Sequence, residues 1–106
     1  MSVAWVALII AGLVETVYAA ALERSATFTR LWPTLVFLAG VSVSMLGLAI
    51  AVRTIPIGTA YAVWVGIGAV GTAIYGIAVL DEPATAARLG CLLLIIAGVA
   101  GLKLLH

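Results

Sequence analysis

One carboxylate interrupts an otherwise apolar opening segment. From Val3 to Leu22 the chain reads Val-Ala-Trp-Val-Ala-Leu-Ile-Ile-Ala-Gly-Leu-Val-Glu-Thr-Val-Tyr-Ala-Ala-Ala-Leu, and Glu15 is its only formally charged side chain. As a helix rising ~1.5 Å per residue, such a run covers roughly 30 Å, the thickness of a bilayer's hydrocarbon core. Glu15 falls past the middle of that span. An ionised carboxylate there costs at least ~2.5 kcal/mol, and much more if it faces lipid. A residue this costly marks a functional site, and the rest of the chain can be read as its surroundings.

The composition agrees with a membrane setting. The chain is 66% apolar and 8% charged, with a mean hydropathy of +1.36, a balance that no water-facing surface of this size sustains. A net charge of +1 excludes a polybasic binder of nucleic acid or lipid headgroups. Cys91 is the lone cysteine and lies in an apolar run, so neither a disulfide framework nor a metal cluster is expected, and no cofactor. The opening run lacks a preceding Lys or Arg and is broken by Glu15, so it is expected to remain as a span rather than to be removed as a signal peptide.

Four spans are expected, at about 3–22, 32–52, 58–80 and 85–104, forming a single transmembrane domain. Pro33 is tolerated in the first turn of the second. Pro56 breaks the chain before the third, and Asp81-Glu82-Pro83 ends it. Lys103 can snorkel from the end of the fourth. Short connections force the spans to alternate, which gives an all-α up-down bundle. Open strands are excluded in lipid. Loops one and three carry Arg24, Arg30 and Arg88, against Arg53 and Lys103 on the opposite side. That near-balance gives no firm orientation under the positive-inside rule. Copies inserted both ways could pair antiparallel, with two Glu15 facing one cavity, as inverted repeats do within larger transporters.

The third span is rich in glycine. Gly66-x-Gly68-x-x-Gly71 has the spacing of a dinucleotide fingerprint but lacks its strand-to-helix context and acidic partner. Close helix packing is one explanation, since Gly68, Thr72 and Gly76 recur every fourth residue. A working kink at Gly66, Gly68 and Gly71, added to that packing, is the preferred one. The fourth span presents Gly90, Cys91, Leu94, Ile95 and Gly98 as a seam suited to helix pairing, hence to a dimer.

Helical spacing puts Ala11, Gly12, Glu15, Tyr18 and Ala19 on one face. Ser42, Ser44, Tyr61, Trp64, Thr72 and Tyr75 are among the other polar or aromatic intramembrane groups. A carboxylate among aromatic rings suits an organic cation, through charge and through cation–π attraction. Protons and cation then compete for the same acid, which is the physical core of antiport. The structural alternative is a glutamate hydrogen-bonded to a neighbouring helix, which would lock an assembly rather than carry a flux.

These residues resemble the small multidrug resistance family along the whole chain. The resemblance is carried by Gly12-x-x-Glu15, Phe28-Thr-Arg30-Leu-Trp-Pro33, Pro56-x-Gly58-Thr-Ala-Tyr61-Ala-Val-Trp64, Gly66-Ile-Gly68 and the closing Gly98-Val-x-Gly-Leu-Lys103. It implies a non-enzymatic exporter of the bacterial inner membrane, an antiparallel dual-topology dimer that exchanges organic cations for protons. Glu15 would be the shared proton and substrate site, lined by Tyr61 and Trp64. The run from Gly66 to Gly71 is similar to the guanidinium-exporter branch, in which Gly12, Ser44 and Trp64 would match residues holding the glutamate in a hydrogen-bond network. Three positions depart from that branch: Tyr18 stands where Trp is typical, Val65 where a small hydroxyl residue is usual, and Glu23 where a Lys commonly follows. The first two imply a more apolar site, favouring alkylated or quaternary cations and leaving a broad multidrug exporter as the alternative. The third could mark one half of a heteromeric pair.

Overall fold

The computed structural model describes residues 2–105. They form four helices: α1 (Val3–Arg24), α2 (Leu31–Ala51), α3 (Ile57–Val79) and α4 (Ala86–Leu105). Each is long and apolar enough to cross a membrane, and no strand occurs among the described residues. The chain is therefore a multi-pass membrane protein. The start of α1, the end of α4 and the α2–α3 loop lie at one end of the bundle, with the α1–α2 and α3–α4 loops at the other.

Local chemistry sets the helix ends. Ser2 caps α1 by accepting from the Trp5 N–H at 3.3 Å. At its other end α1 continues to Arg24, two residues past the expected Leu22, because Glu23 and Arg24 are good helix formers and a cation suits the helix C-terminus. The following turn is tied by the buried Ser25. Its hydroxyl donates to the Leu22 carbonyl at 2.7 Å and accepts from the Phe28 N–H at 3.1 Å. Its carbonyl accepts from the N–H groups of Thr29 and Arg30 at 2.9 and 3.0 Å. These bonds offset the left-handed backbone of Ala26, Thr27 and Phe28 (φ 50°, 63° and 64°). Pro56 precedes α3 and accepts from the Ala60 N–H at 2.9 Å.

The bundle is solid at one end and hollow at the other. α1 lies between α2 and α3, and α4 packs chiefly on α3, with Lys103 Nζ reaching over the Trp5 ring of α1 at 5.0 Å. The core joins Trp5, Leu8 and Ala11 of α1, Leu48 and Ala51 of α2, the loop residue Ile55, and Ala60, Val63 and Trp64 of α3. All of these lie in the half nearest the termini and the α2–α3 loop. Close packing here uses Gly47, where a Cβ would stand 2.9 Å from the Ala11 Cβ and 3.1 Å from the Ala7 carbonyl oxygen. The α4 helix has no buried residue, and the sites of added Cβ atoms on Gly90 and Gly98 are open space. Within one chain the expected pairing seam therefore faces outward.

Gly47→Ala is expected to destabilise the protein by about 1–3 kcal/mol through overpacking against α1 backbone. Gly58→Ala, where a Cβ meets nothing within 4 Å, serves as the control and should not lower the melting temperature. Thermal unfolding of the two purified variants in detergent compares them directly.

Candidate functional site

Glu15 stands where the solid half of the bundle gives way to the hollow one. Its carboxylate ends a cavity of about 550 Å³ that runs between α1 and α3 towards the α1–α2 and α3–α4 loops. Tyr18, Ala19 and Glu23 line it from α1, and Val65, Gly68, Thr72 and Tyr75 from α3. Leu80, Glu82 and Arg88 stand at its outer end.

The two carboxylate oxygens of Glu15 are in different positions. Oε2 accepts only a long hydrogen bond of 3.5 Å from the Tyr18 hydroxyl, one turn away. Oε1 is buried and has no hydrogen-bond partner among the described residues. It lies against the bare backbone of Gly68, where an added Cβ would collide with it. The neighbouring Thr16 Oγ1 is likewise buried without a partner and rests on Gly71. Thus two of the three central α3 glycines receive oxygens from α1, while Gly66 faces the Val99 side chain of α4, whose Cγ2 would stand 2.5 Å from an added Cβ. α3 is a continuous helix through all three, and close packing alone accounts for them in this conformation. A buried oxygen left without a donor costs about 1–3 kcal/mol, more when charged. The described residues supply Glu15 with no ion-pair partner: the one salt bridge joins Arg88 to Glu82. A bound cation carrying N–H groups, or a proton, would satisfy it. No cluster of His, Cys, Asp or Glu able to hold a metal occurs among the described residues.

Tyr18 is the one expected pocket residue that shares the cavity with Glu15. Its ring is held edge-on to Phe37 at 5.7 Å, and Phe37 in turn contacts Phe28 at 5.5 Å. The remaining four are placed elsewhere. Gly12 packs on Ile67, whose Cβ is 2.8 Å from where a Gly12 Cβ would be. Ser44 is fully buried. It donates to the Ala11 carbonyl at 2.7 Å and accepts from Trp64 Nε1 at 2.9 Å. Tyr61 is half exposed, with its ring 5.5 Å from that of Trp64. None of the four hydrogen-bonds Glu15 in the single chain. The connection is one step removed: in an α-helix the Ala11 carbonyl is the acceptor for the Glu15 N–H. Ser44 and Trp64 therefore fix the backbone turn on which Glu15 is carried.

Glu82 and Arg88 were not identified from the sequence as cavity residues, nor Thr16 as a buried neighbour of Gly71. Glu82 read as a helix terminator and Arg88 as a topology charge. The signal for the first lies in the short break after α3, which returns the chain over Gly76.

A family model described as Small Multidrug Resistance protein matches residues 3–95. The chain belongs to the small multidrug resistance family. Members with curated names cover nearly the same length. A guanidinium exporter of Citrobacter freundii is 55% identical over 100 residues, spanning 94% of this chain and 95% of that protein. Guanidinium exporters of Yersinia pestis (52% over 101 residues, spanning 95% and 97%) and Salmonella typhimurium LT2 (51% over 100 residues, spanning 94% and 95%) are similar to it to nearly the same degree. These relatives carry transporter names rather than enzyme names.

Ser44→Ala removes the acceptor of a buried indole N–H and should cost about 1–3 kcal/mol. The loss is read as a lower melting temperature of the purified protein. Ser42→Ala is the control, because the Ser42 hydroxyl only caps its own helix at the Leu38 carbonyl and the residue is exposed.

Proposed function

We propose that this family member exports guanidinium-like or small alkylated cations across the bacterial inner membrane in exchange for protons. The observation that carries the proposal is a cavity, open towards one end of the bundle, that ends on a buried carboxylate oxygen without a partner. A guanidinium ion presents a planar set of N–H donors to such an oxygen. A proton neutralises the same group. Because one acid cannot hold both, each occupant excludes the other, and the inward proton gradient drives the cation out. The membrane potential contributes ~2.3 kcal/mol per elementary charge per 100 mV. The relatives named guanidinium exporters, 51–55% identical over nearly the whole chain, support the substrate class.

In this reading Glu15 binds both ions, Tyr18 orients its carboxylate, and Gly12, Ser44 and Trp64 hold the turn beneath it. Tyr61 is half exposed and would complete the site from the partner copy's side. The working unit is an antiparallel pair. An α4 helix without a buried residue supports pairing through Gly90, Leu94, Ile95 and Gly98. The near-equal loop charges support insertion in both orientations. Gly66, Gly68 and Gly71 would let α3 bend as access alternates.

A looser selectivity has one specific observation in its favour. The cavity wall is largely apolar, with Ala19, Ala20, Val65, Ala69 and Ala73 lining about 550 Å³, far more than guanidinium fills. Alkylated guanidinium and small quaternary ammonium ions would therefore also be carried. A heteromeric pair remains the competing assembly, motivated by Glu23 in place of a basic residue.

The test is cation-induced current in liposomes holding only this chain. Guanidinium, an alkylguanidinium, tetramethylammonium and a bulky aromatic cation are applied in turn, with Glu15→Gln as control. The expected result is current with the first three that vanishes in the variant. Current with the bulky cation alone would make the protein a multidrug exporter. Silence with every cation from well-folded protein would contradict a self-sufficient exporter.

A further inference from the structure

The segment joining α3 to α4 folds back over the hollow end of the bundle. Leu80 and Glu82 both donate their backbone N–H to the Gly76 carbonyl, at 3.1 and 3.0 Å. Asp81 between them is left-handed, at φ 56°. The turn lays the Glu82 carboxylate on the bare backbone of Gly76, where a Cβ would stand 2.5 Å from Oε1 and 2.7 Å from the carboxyl carbon. A side chain at position 76 would push the carboxylate away. Arg88, at the start of α4, then reaches back and donates from Nη2 to Glu82 Oε1 at 3.3 Å. Both residues line the outer end of the cavity that terminates on Glu15.

Arg88 carries a guanidinium group, so the mouth of this cavity already holds a carboxylate–guanidinium pair. The contact is single and long, and both side chains are 43% exposed. Ion pairs in such a setting are weak. Glu82 Oε2 receives no hydrogen bond among the described residues, so the carboxylate has capacity left for a second donor. Arg88 competes at the effective concentration its short tether provides, on the millimolar scale. A free cation of the same chemistry at comparable concentration can displace it. Glu23 lines the same cavity and adds negative charge that draws cations in.

We infer that Arg88 is a built-in competitor of the transported cation for Glu82, and that Glu82 is an outer docking residue for guanidinium-type cations on their way to Glu15. The inference deepens the exporter reading and rests on it. It also separates Glu82 and Arg88 from an ordinary structural ion pair. Breaking a structural pair from either side has the same consequence, whereas removing the docking residue and removing its competitor have opposite ones.

The experiment measures the KM for guanidinium from currents in liposomes holding the full-length wild type, Glu82→Gln or Arg88→Gln. Glu82→Gln should raise KM about fivefold or more. Arg88→Gln should lower it about twofold or more, and Arg88→Met replaces it if that variant is unstable. Arg88→Lys, which keeps a tethered cation, should stay nearer to wild type than Arg88→Gln. Shifts of the same sign in the Glu82 and Arg88 variants, or an unchanged KM in Glu82→Gln, would overturn the competitor role while leaving the exporter reading intact. A wild type silent to guanidinium would overturn both.

Discussion

A carboxylate oxygen held inside a membrane-spanning helix without a donor is the constraint on which the rest of this structure depends. Lipid cannot solvate Glu15. The described residues offer it no cation at that depth, only a long bond from Tyr18. In the proposed exporter its protection would be supplied alternately by occupants that arrive and leave. A proton and an organic cation can each neutralise one acid, and in the proposed exporter their mutual exclusion would turn an electrostatic cost into a coupling device.

The fold distributes its packing accordingly. The half of the bundle nearest the termini is filled by Leu8, Ala11, Leu48, Ala51, Val63 and Trp64. Ser44 ties three helices together there by joining the Ala11 carbonyl to the Trp64 indole. That solid end holds α1 in register. Beyond it, Gly68 and Gly71 bring the α3 backbone against Glu15 and Thr16, leaving the carboxylate pinned at the bottom of an open channel. At the channel's outer end the Arg24 Nε donates to the Tyr75 hydroxyl at 2.8 Å, joining α1 to α3 beside the opening. One end of the molecule is thus built for rigidity and the other for access.

Much of this was legible in the sequence, because a bilayer leaves few options. Apolar runs of the right length had to be spanning helices, and the four observed are those expected. Glu15 announced itself by being the lone charge in its span. Helix ends were less legible: α1 runs to Arg24 because polar helix formers continue a helix beyond the apolar stretch that defines a span. The partners of Glu15 were legible only in part. Spacing placed Tyr18 on its face correctly. Whether Ser44, Tyr61 and Trp64 reach the carboxylate depends on the rotation of α2 and α3 about their axes, which hydropathy does not encode when a helix is apolar all round. Glu82 and Arg88 escaped notice because their position comes from the backward turn at Leu80–Glu82, a tertiary feature resting on the bare backbone of Gly76.

The central claim is that one carboxylate serves both ions. It is tested most directly by adding guanidinium to detergent-solubilised protein in weakly buffered solution and following the pH. The account predicts that guanidinium binding releases protons, and that both the binding and the release disappear in Glu15→Gln. Binding without proton release, or release that persists in Glu15→Gln, would contradict it.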